Sequence, residues 1–322
     1  IITDTSSTSF SLGADSNSRN VNSGTNTVSA WCWKMGGTPT ADNTATSGAM
    51  TDGSVFVDGS VSNSYTPDGS PDLYPIKMSV NTVARQSVVT FTKGSSAVTV
   101  PHGLGVRPTL IIFKNRSRDN TNWCCWHTRA GTARRIKLSE RGIDDNTAFF
   151  DNDFTNCTEH LFHVGTGQND TGADGDVVTA YCFADLEGYF RAGDYVSRDQ
   201  GGSNGFVDGR FVYTGFKPAF LQIRRRDNTS TDCLMGTKEL NDHNMVDGLY
   251  QRDASAGTHP QVAPFDSTTF ALDWTPMGFK IRNSSADCID GSTDADADTQ
   301  WLWWAWAEVP FGGGNVRTAN AF

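Results

Sequence analysis

Three times along the chain a large ring, a small residue and a second large ring follow one another. They are Trp31-Cys32-Trp33 in VSAWCWKMGG, Tyr181-Cys182-Phe183 in VTAYCFADLEGY, and Trp304-Ala305-Trp306 in LWWAWAEVPF. Rings two residues apart point to one face of an extended strand. A polar turn precedes each phrase: SNSRNVNSGTNT, GQNDTGADGD and SSADCIDGSTDADADT. Upstream of each turn stands a short alternating run, around Phe10, Phe162 and Phe279. The unit reads as strand, acidic turn, aromatic strand, and the expectation is a β-hairpin that closes a domain.

The second and third occurrences share their front halves as well. Pro108 and Pro218 each stand just before an apolar run, 110–113 and 220–223, and RDNT recurs at Arg118 and Arg226 as a hairpin turn. The prolines lie 110 residues apart, far beyond the roughly 20–50 residues of solenoid repeats. The period fits whole domains of several short strands at sandwich length. Scarce Leu, Lys and Glu beside abundant Gly, Ser, Thr, Asn and Asp point away from helices. The expected fold is all-β: tandem antiparallel β-sandwich modules, the first of them incomplete. Residues 1–37 are expected to be the end of a first module and 38–86 a polar spacer with a β-ribbon turning at Asp58-Gly59. Residues 87–195 and 205–312 then form the second and third modules, and 313–322 a flexible tail. Missing strands of the first module would belong to a longer protein, of which this chain is a fragment, or come from another chain.

The aromatic pairs have three competing uses: a membrane anchor, a sugar-stacking surface or a core. Residues 301–307 form an apolar run of seven, and a spanning helix needs roughly 20. The anchor fails on length. The expectation is that Trp31, Trp33, Tyr181, Phe183, Trp304 and Trp306 line inner faces of sandwiches. By alternation Trp303 should point away from Trp304, into solvent or against a neighbour.

With 26 Lys and Arg against 36 Asp and Glu, the net charge is −10. A phosphate-tracking surface needs the opposite sign, so no nucleic-acid partner is expected. Seven cysteines without regular spacing suggest neither a disulfide framework nor a zinc site. Cys124 and Cys125 should face opposite sides of a strand, and Cys32 and Cys182 read as small buried hydrophobes. No basic-then-apolar leader opens the sequence, so no signal peptide is expected.

Catalytic signals are sparse. His160 and His163 flank Phe162 and stand near Glu159, without a G-x-S-x-G elbow or another activated nucleophile. His102, in VPHGLG, reads as a turn residue. Paired carboxylates of the glycosidase kind would come from distant strands and leave no local signature. Two acidic clusters suggest calcium loops through Asp174 and Asp176, and through Asp294 and Asp296. The order D-x-D-x-D-G is absent, so solvated acidic turns are the plainer expectation, with no metal and no cofactor.

The combination AWCWKMGG, HGLGVRPTLIIFKNRS, NWCCWH, VVTAYCFADLEGY, RFVYTGFKPAFLQIRR, GFKIR and WAWAEVPF resembles a repeat of structural proteins of tailed bacteriophages. Such repeats occur in tail-fibre-like and virion-surface proteins of marine and cyanobacterial phages. The resemblance covers nearly the whole chain apart from residues 65–80. It implies β-sandwich modules, a place on the virion after assembly in the host cytoplasm, and a homo-oligomer, with a trimer expected. Other virion proteins and a host-surface glycan or protein are the implied partners, without membrane insertion. It implies no catalytic residues, and puts Trp123, Trp126 and His127 on a packing strand. Cys124 and Cys125 depart from the pattern, which more often has small or aliphatic residues there. The loops 169–176 and 253–264 are the expected display elements of a tail fibre or surface projection. A capsid or tail packing protein without a receptor is the alternative.

Overall fold

The computed structural model describes residues 2–6, 9–13, 30–119, 121–131, 134–138, 143–145, 157–166, 170–197, 208–226, 233–237, 249–251, 261–262, 272–282 and 300–308. These residues contain strands, turns and no helix. The all-β expectation holds, and the sheets are antiparallel but for one parallel pair.

The chain divides into a unit over residues 1–34 and a unit over 35–322. In the first, β1 (Ile2–Thr5) and β2 (Phe10–Leu12) form an antiparallel ribbon. Trp31 and Trp33 lie there in irregular backbone, half-buried, and Cys32 is exposed. The expectation of an aromatic strand with a buried thiol is therefore corrected.

The second unit holds two sandwiches. β3 (Val55–Val57), β4 (Ser60–Val61), β5 (Lys77–Asn81) and β6 (Gln86–Thr92) open the first. Asp58 and Gly59 turn β3 into β4 with φ of 52° and 88°. Those left-handed angles match the twist of a tight hairpin, as the Asp-Gly pair implies. β3 also pairs in parallel with β5, and β5 pairs with β6. The expected spacer is thus part of a sheet. Gly36 is needed beside it, because a Cβ there would lie 1.9 Å from the Val80 carbonyl oxygen.

Next come β7 (Val98–Pro101), β8 (Leu110–Asn115), β9 (Trp123–His127), β10 (Arg134–Lys137), β11 (Ile143–Asp145), β12 (Leu161–Val164) and β13 (Val177–Phe183). The first main sheet runs β11-β10-β9-β8-β13-β6-β5-β3-β4, and β12 pairs with β7 in a small facing sheet. β8 and β9 are the hairpin around the first RDNT. β12 and β13 are not a hairpin, which corrects the expected unit. β12 belongs to the small sheet and β13 to the main one, so the acidic turn arches between layers. The physical reason is packing: Phe162 of β12 reaches across to Phe91 and Phe113 at 5.9 and 5.7 Å.

The remaining strands are β14 (Phe190–Val196), β15 (Phe211–Tyr213), β16 (Pro218–Arg225), β17 (Cys233–Thr237), β18 (Leu249–Gln251), β19 (Gln261–Val262), β20 (Leu272–Thr275), β21 (Gly278–Ile281) and β22 (Gln300–Ala307). The second main sheet, read from its far edge, is β19-β18-β17-β16-β22-β14, the same order as β11-β10-β9-β8-β13-β6. The small sheet is β15-β21-β20. β14 pairs along its whole length with β22, so the break between main sheets falls between Phe183 and Phe190, earlier than the expected 195–205.

Each sandwich has its own core. The first gathers Val89, Phe91, Phe113, Trp126, Phe162 and Ala180. The second gathers Leu221, Ile223, Trp274, Phe279, Trp301 and Trp303. Parity along the aromatic strands is opposite to expectation. Ala180, Cys182 and Ala184 face the first core, and Trp301, Trp303, Ala305 and Ala307 face the second. Tyr181, Phe183, Trp304 and Trp306 lie on the other face. In β13 the inner residues are small and leave room for the rings of the opposing sheet, whereas in β22 Trp301 and Trp303 themselves fill the second core.

Candidate functional site

The outer faces of the two main sheets meet. Trp304 and Trp306 are 1% and 7% exposed, and their neighbours come from both sandwiches. Trp306 packs on Phe183 at 5.1 Å, Phe190 at 4.8 Å and Phe220 at 5.5 Å, and Trp304 on His127 at 5.8 Å. Leu110, Cys125, Ile136 and Leu302 are also buried, outside both cores. The arrangement is four layers, with a seam between the two main sheets. Tyr181 sits beyond it, half-buried beside Trp123 at 5.9 Å.

Polar groups stitch the same seam. His127 Nε2 donates to the Trp303 carbonyl at 3.1 Å, and its Nδ1 accepts the Arg129 N–H at 3.1 Å. Arg226 Nε donates to the Ala130 carbonyl at 3.0 Å. Burial pushes the His127 pKa down to about 4, which keeps the ring neutral. His102 repeats the pattern in the first sandwich. Its Nδ1 accepts the Leu104 N–H, its Nε2 faces the Thr158 carbonyl, and burial lowers its pKa to about 4. Its expected turn role is what the structure has.

The acidic turn before β13 is anchored from within. Asp176 Oδ2 accepts bonds from Asn115 Nδ2 at 2.9 Å, Arg118 Nε at 2.6 Å and Ala173 N at 2.9 Å. Burial pushes its pKa up, but these donors outweigh that and hold it below the ordinary value. Asp170 accepts from Arg135 Nη1 and Asn122 N, each at 2.8 Å. Asp174 is exposed, and Asp294 and Asp296 lie outside the described residues. No group of three or more potential metal ligands forms among the described residues. Arginine holds Asp170 and Asp176 where a calcium loop was considered. We expect Asp176→Ala to cost about 1–3 kcal/mol in urea denaturation, because buried Asn115 loses its acceptor. A change under about 0.5 kcal/mol would show that the turn does not depend on this carboxylate.

The buried thiols of Cys124, Cys125, Cys157 and Cys182 are chemically quiet. Cys124 faces the first core and Cys125 the seam, on opposite sides of β9 as expected. Burial pushes Cys125 and Cys157 up to about 12, and Cys124 and Cys182 upward too. Glu159 pairs with His160 at 3.3 Å near the surface, while His163 is buried on β12.

Among the described residues, two clefts open to solvent. One, of about 250 Å³, is lined by Tyr65, Asp68, Thr82, Gly103 and His160. Burial and the nearby Asp68 push Tyr65 up to about 12. The other, of about 280 Å³, lies where the chain passes from β13 to β14 and β15 approaches. Asp185, Glu187, Arg191 and Tyr213 line it over Phe190. The Arg191 guanidinium stands 5.4 Å over the Tyr213 ring, and Tyr213 and Phe211 are about half exposed. Asp185 Oδ1 is fixed by Thr109 Oγ1 at 2.8 Å and Ala192 N at 3.0 Å. Sequence reasoning passed over these residues. Its one available signal was the short alternating run FVYTG, whose rings fall on the solvent side of a strand.

A model of a domain family of unknown function, DUF7483, matches residues 59–310. No curated protein and no solved structure matches the chain. The matched stretch runs from β4 to the end of β22, hence the second main sheet, the first one except β3, the seam and the cleft over Phe190. With more than three quarters of its residues matched, the chain belongs to the DUF7483 family.

Proposed function

We propose that this protein is a non-enzymatic structural protein of a tailed-bacteriophage virion, a tail fibre or surface projection that displays binding features towards the host surface. The resemblance of its sequence phrases to phage structural repeats motivates the setting. The observation that carries the display role is the seam. Two sandwiches joined by Trp304, Trp306 and His127 form a stiff body, because a closely packed, buried contact resists hinge motion. A stiff body holds its clefts at fixed separations. Several copies in one homo-oligomer then turn weak single contacts into firm attachment.

Gold-labelled antibody against the chain, applied to purified particles, tests the setting. Binding of the fluorescent chain to intact host cells tests the display role. Labelling at fibres or projections together with cell binding is the expected result. Labelling between capsomers or along the tail tube, without cell binding, would replace it with a packing role. Release of soluble saccharide from envelope polymer would replace it with an enzyme.

A further inference from the structure

The cleft over Phe190 brings together charged groups that no ion pair occupies among the described residues. Arg191 and Glu187 have no ion-pair partner among the described residues. Asp185 is held through Oδ1 alone. Tyr213 keeps about half its surface exposed while its ring lies under the Arg191 guanidinium. An exposed ring, a guanidinium without an ion-pair partner among the described residues and two carboxylates therefore border a volume of about 280 Å³, near the lower limit of roughly 300 Å³ for small-molecule sites.

The chemistry narrows the ligand. An anion would meet two carboxylates against one guanidinium, on a chain of net charge −10. A cation would meet Arg191. A purely apolar ligand would strip water from all three charged groups without repayment. A neutral polyol satisfies each of them: its hydroxyls donate to Glu187 and Asp185 and accept from Arg191. The C–H face of a pyranose ring then covers the apolar surface of Tyr213.

We propose that this cleft binds an uncharged pyranose unit of a glycan, with Tyr213 as the stacking platform and Arg191, Glu187 and Asp185 as the hydroxyl partners. The proposal deepens the display reading, on which its biological setting rests, by naming the ligand class of one displayed site. Asp185 arrives already oriented by Thr109 and Ala192, which lowers the ordering cost of binding.

Saturation-transfer NMR on the full chain tests it, with the methyl glycosides of glucose, galactose, mannose and N-acetylglucosamine as probes and N-acetylneuraminic acid as the charged control. At least one neutral glycoside should bind with a Kd on the order of millimolar, as a single weak site does. Tyr213→Ala and Arg191→Ala should each weaken that binding about tenfold, and Tyr213→Phe should restore it to near the original strength. Both side chains are exposed, and an unchanged thermal melt confirms that each variant is folded. No binding by any neutral glycoside, tighter binding of the charged control, or binding indifferent to both alanine variants overturns the proposal. Glycoside binding that follows the variants, in a chain that does not bind host cells, leaves the cleft in place and removes the display reading instead.

Discussion

Trp304→Ala is expected to lower the stability of the protein by about 3–5 kcal/mol, the range for deleting a buried tryptophan. Trp304 is 1% exposed, paired with Ala192 on one side and Gln222 on the other. It lies against His127 of the other main sheet at 5.8 Å. Its loss leaves a cavity in the seam, and that cavity cannot collapse without sliding two sheets whose cores are separately packed. The same substitution at Trp123, 41% exposed and in contact with Tyr181, should cost only about 1 kcal/mol. Denaturation followed by far-ultraviolet circular dichroism and by tryptophan fluorescence checks both. In the parent chain the two probes should give one transition. In Trp304→Ala they should separate, because the seam couples the sandwiches. A loss under 1 kcal/mol, with the probes still coincident, would mean that the sandwiches are joined by something other than this contact.

The second large effect is acid sensitivity from His127 and His102. Both are fully buried, and burial lowers each pKa from 6.5 to about 4. Between those values the unfolded chain binds protons that the folded chain refuses, so stability falls as pH drops through that window. It is fully present above about 6.5 and levels off below about 4. At 1.36 kcal/mol per unit, each histidine is worth roughly 3 kcal/mol at most. Both rings use Nδ1 as an acceptor of a backbone N–H two residues on, a bond that protonation destroys. His127→Gln should flatten about half of the pH dependence between 6.5 and 4, at some cost in stability at neutral pH. A stability profile of the parent that is flat over that window would contradict the neutral, buried state of these two rings.

Much of this architecture was readable from local chemistry. Asp58-Gly59 had to turn, since few other pairs accept two left-handed residues in succession. RDNT at Arg118 falls between the paired strands β8 and β9. The pairing of Cys124 with Cys125 put one thiol on each face of β9. The repeat of about 110 residues in prolines and turns stands beside an order of six strands that the two main sheets share. The candidate cleft was the least legible part. Asp185, Arg191 and Tyr213 are separated in the chain, and only the departure of β14 from one sheet towards the other brings them together.

What the amino-acid order determined by itself was the class of fold: strands from ring-and-valine runs, turns from Gly, Asn and Asp, and no helix among the described residues. Only the tertiary structure decided which face of each aromatic strand looks inward. Alternation defines two faces but does not say which of them meets the core, and in β22 both are apolar, from Trp301 to Ala307. A strand read as one-sided would have left Trp303 to solvent. With Phe279 packed edge-on to Trp303 at 5.9 Å inside the second sandwich, and His127 against Trp304 outside it, both faces are covered. Such a strand is a near-continuous apolar run because water reaches neither side of it. That second covering comes from residues more than a hundred positions away, and no local pattern carries it.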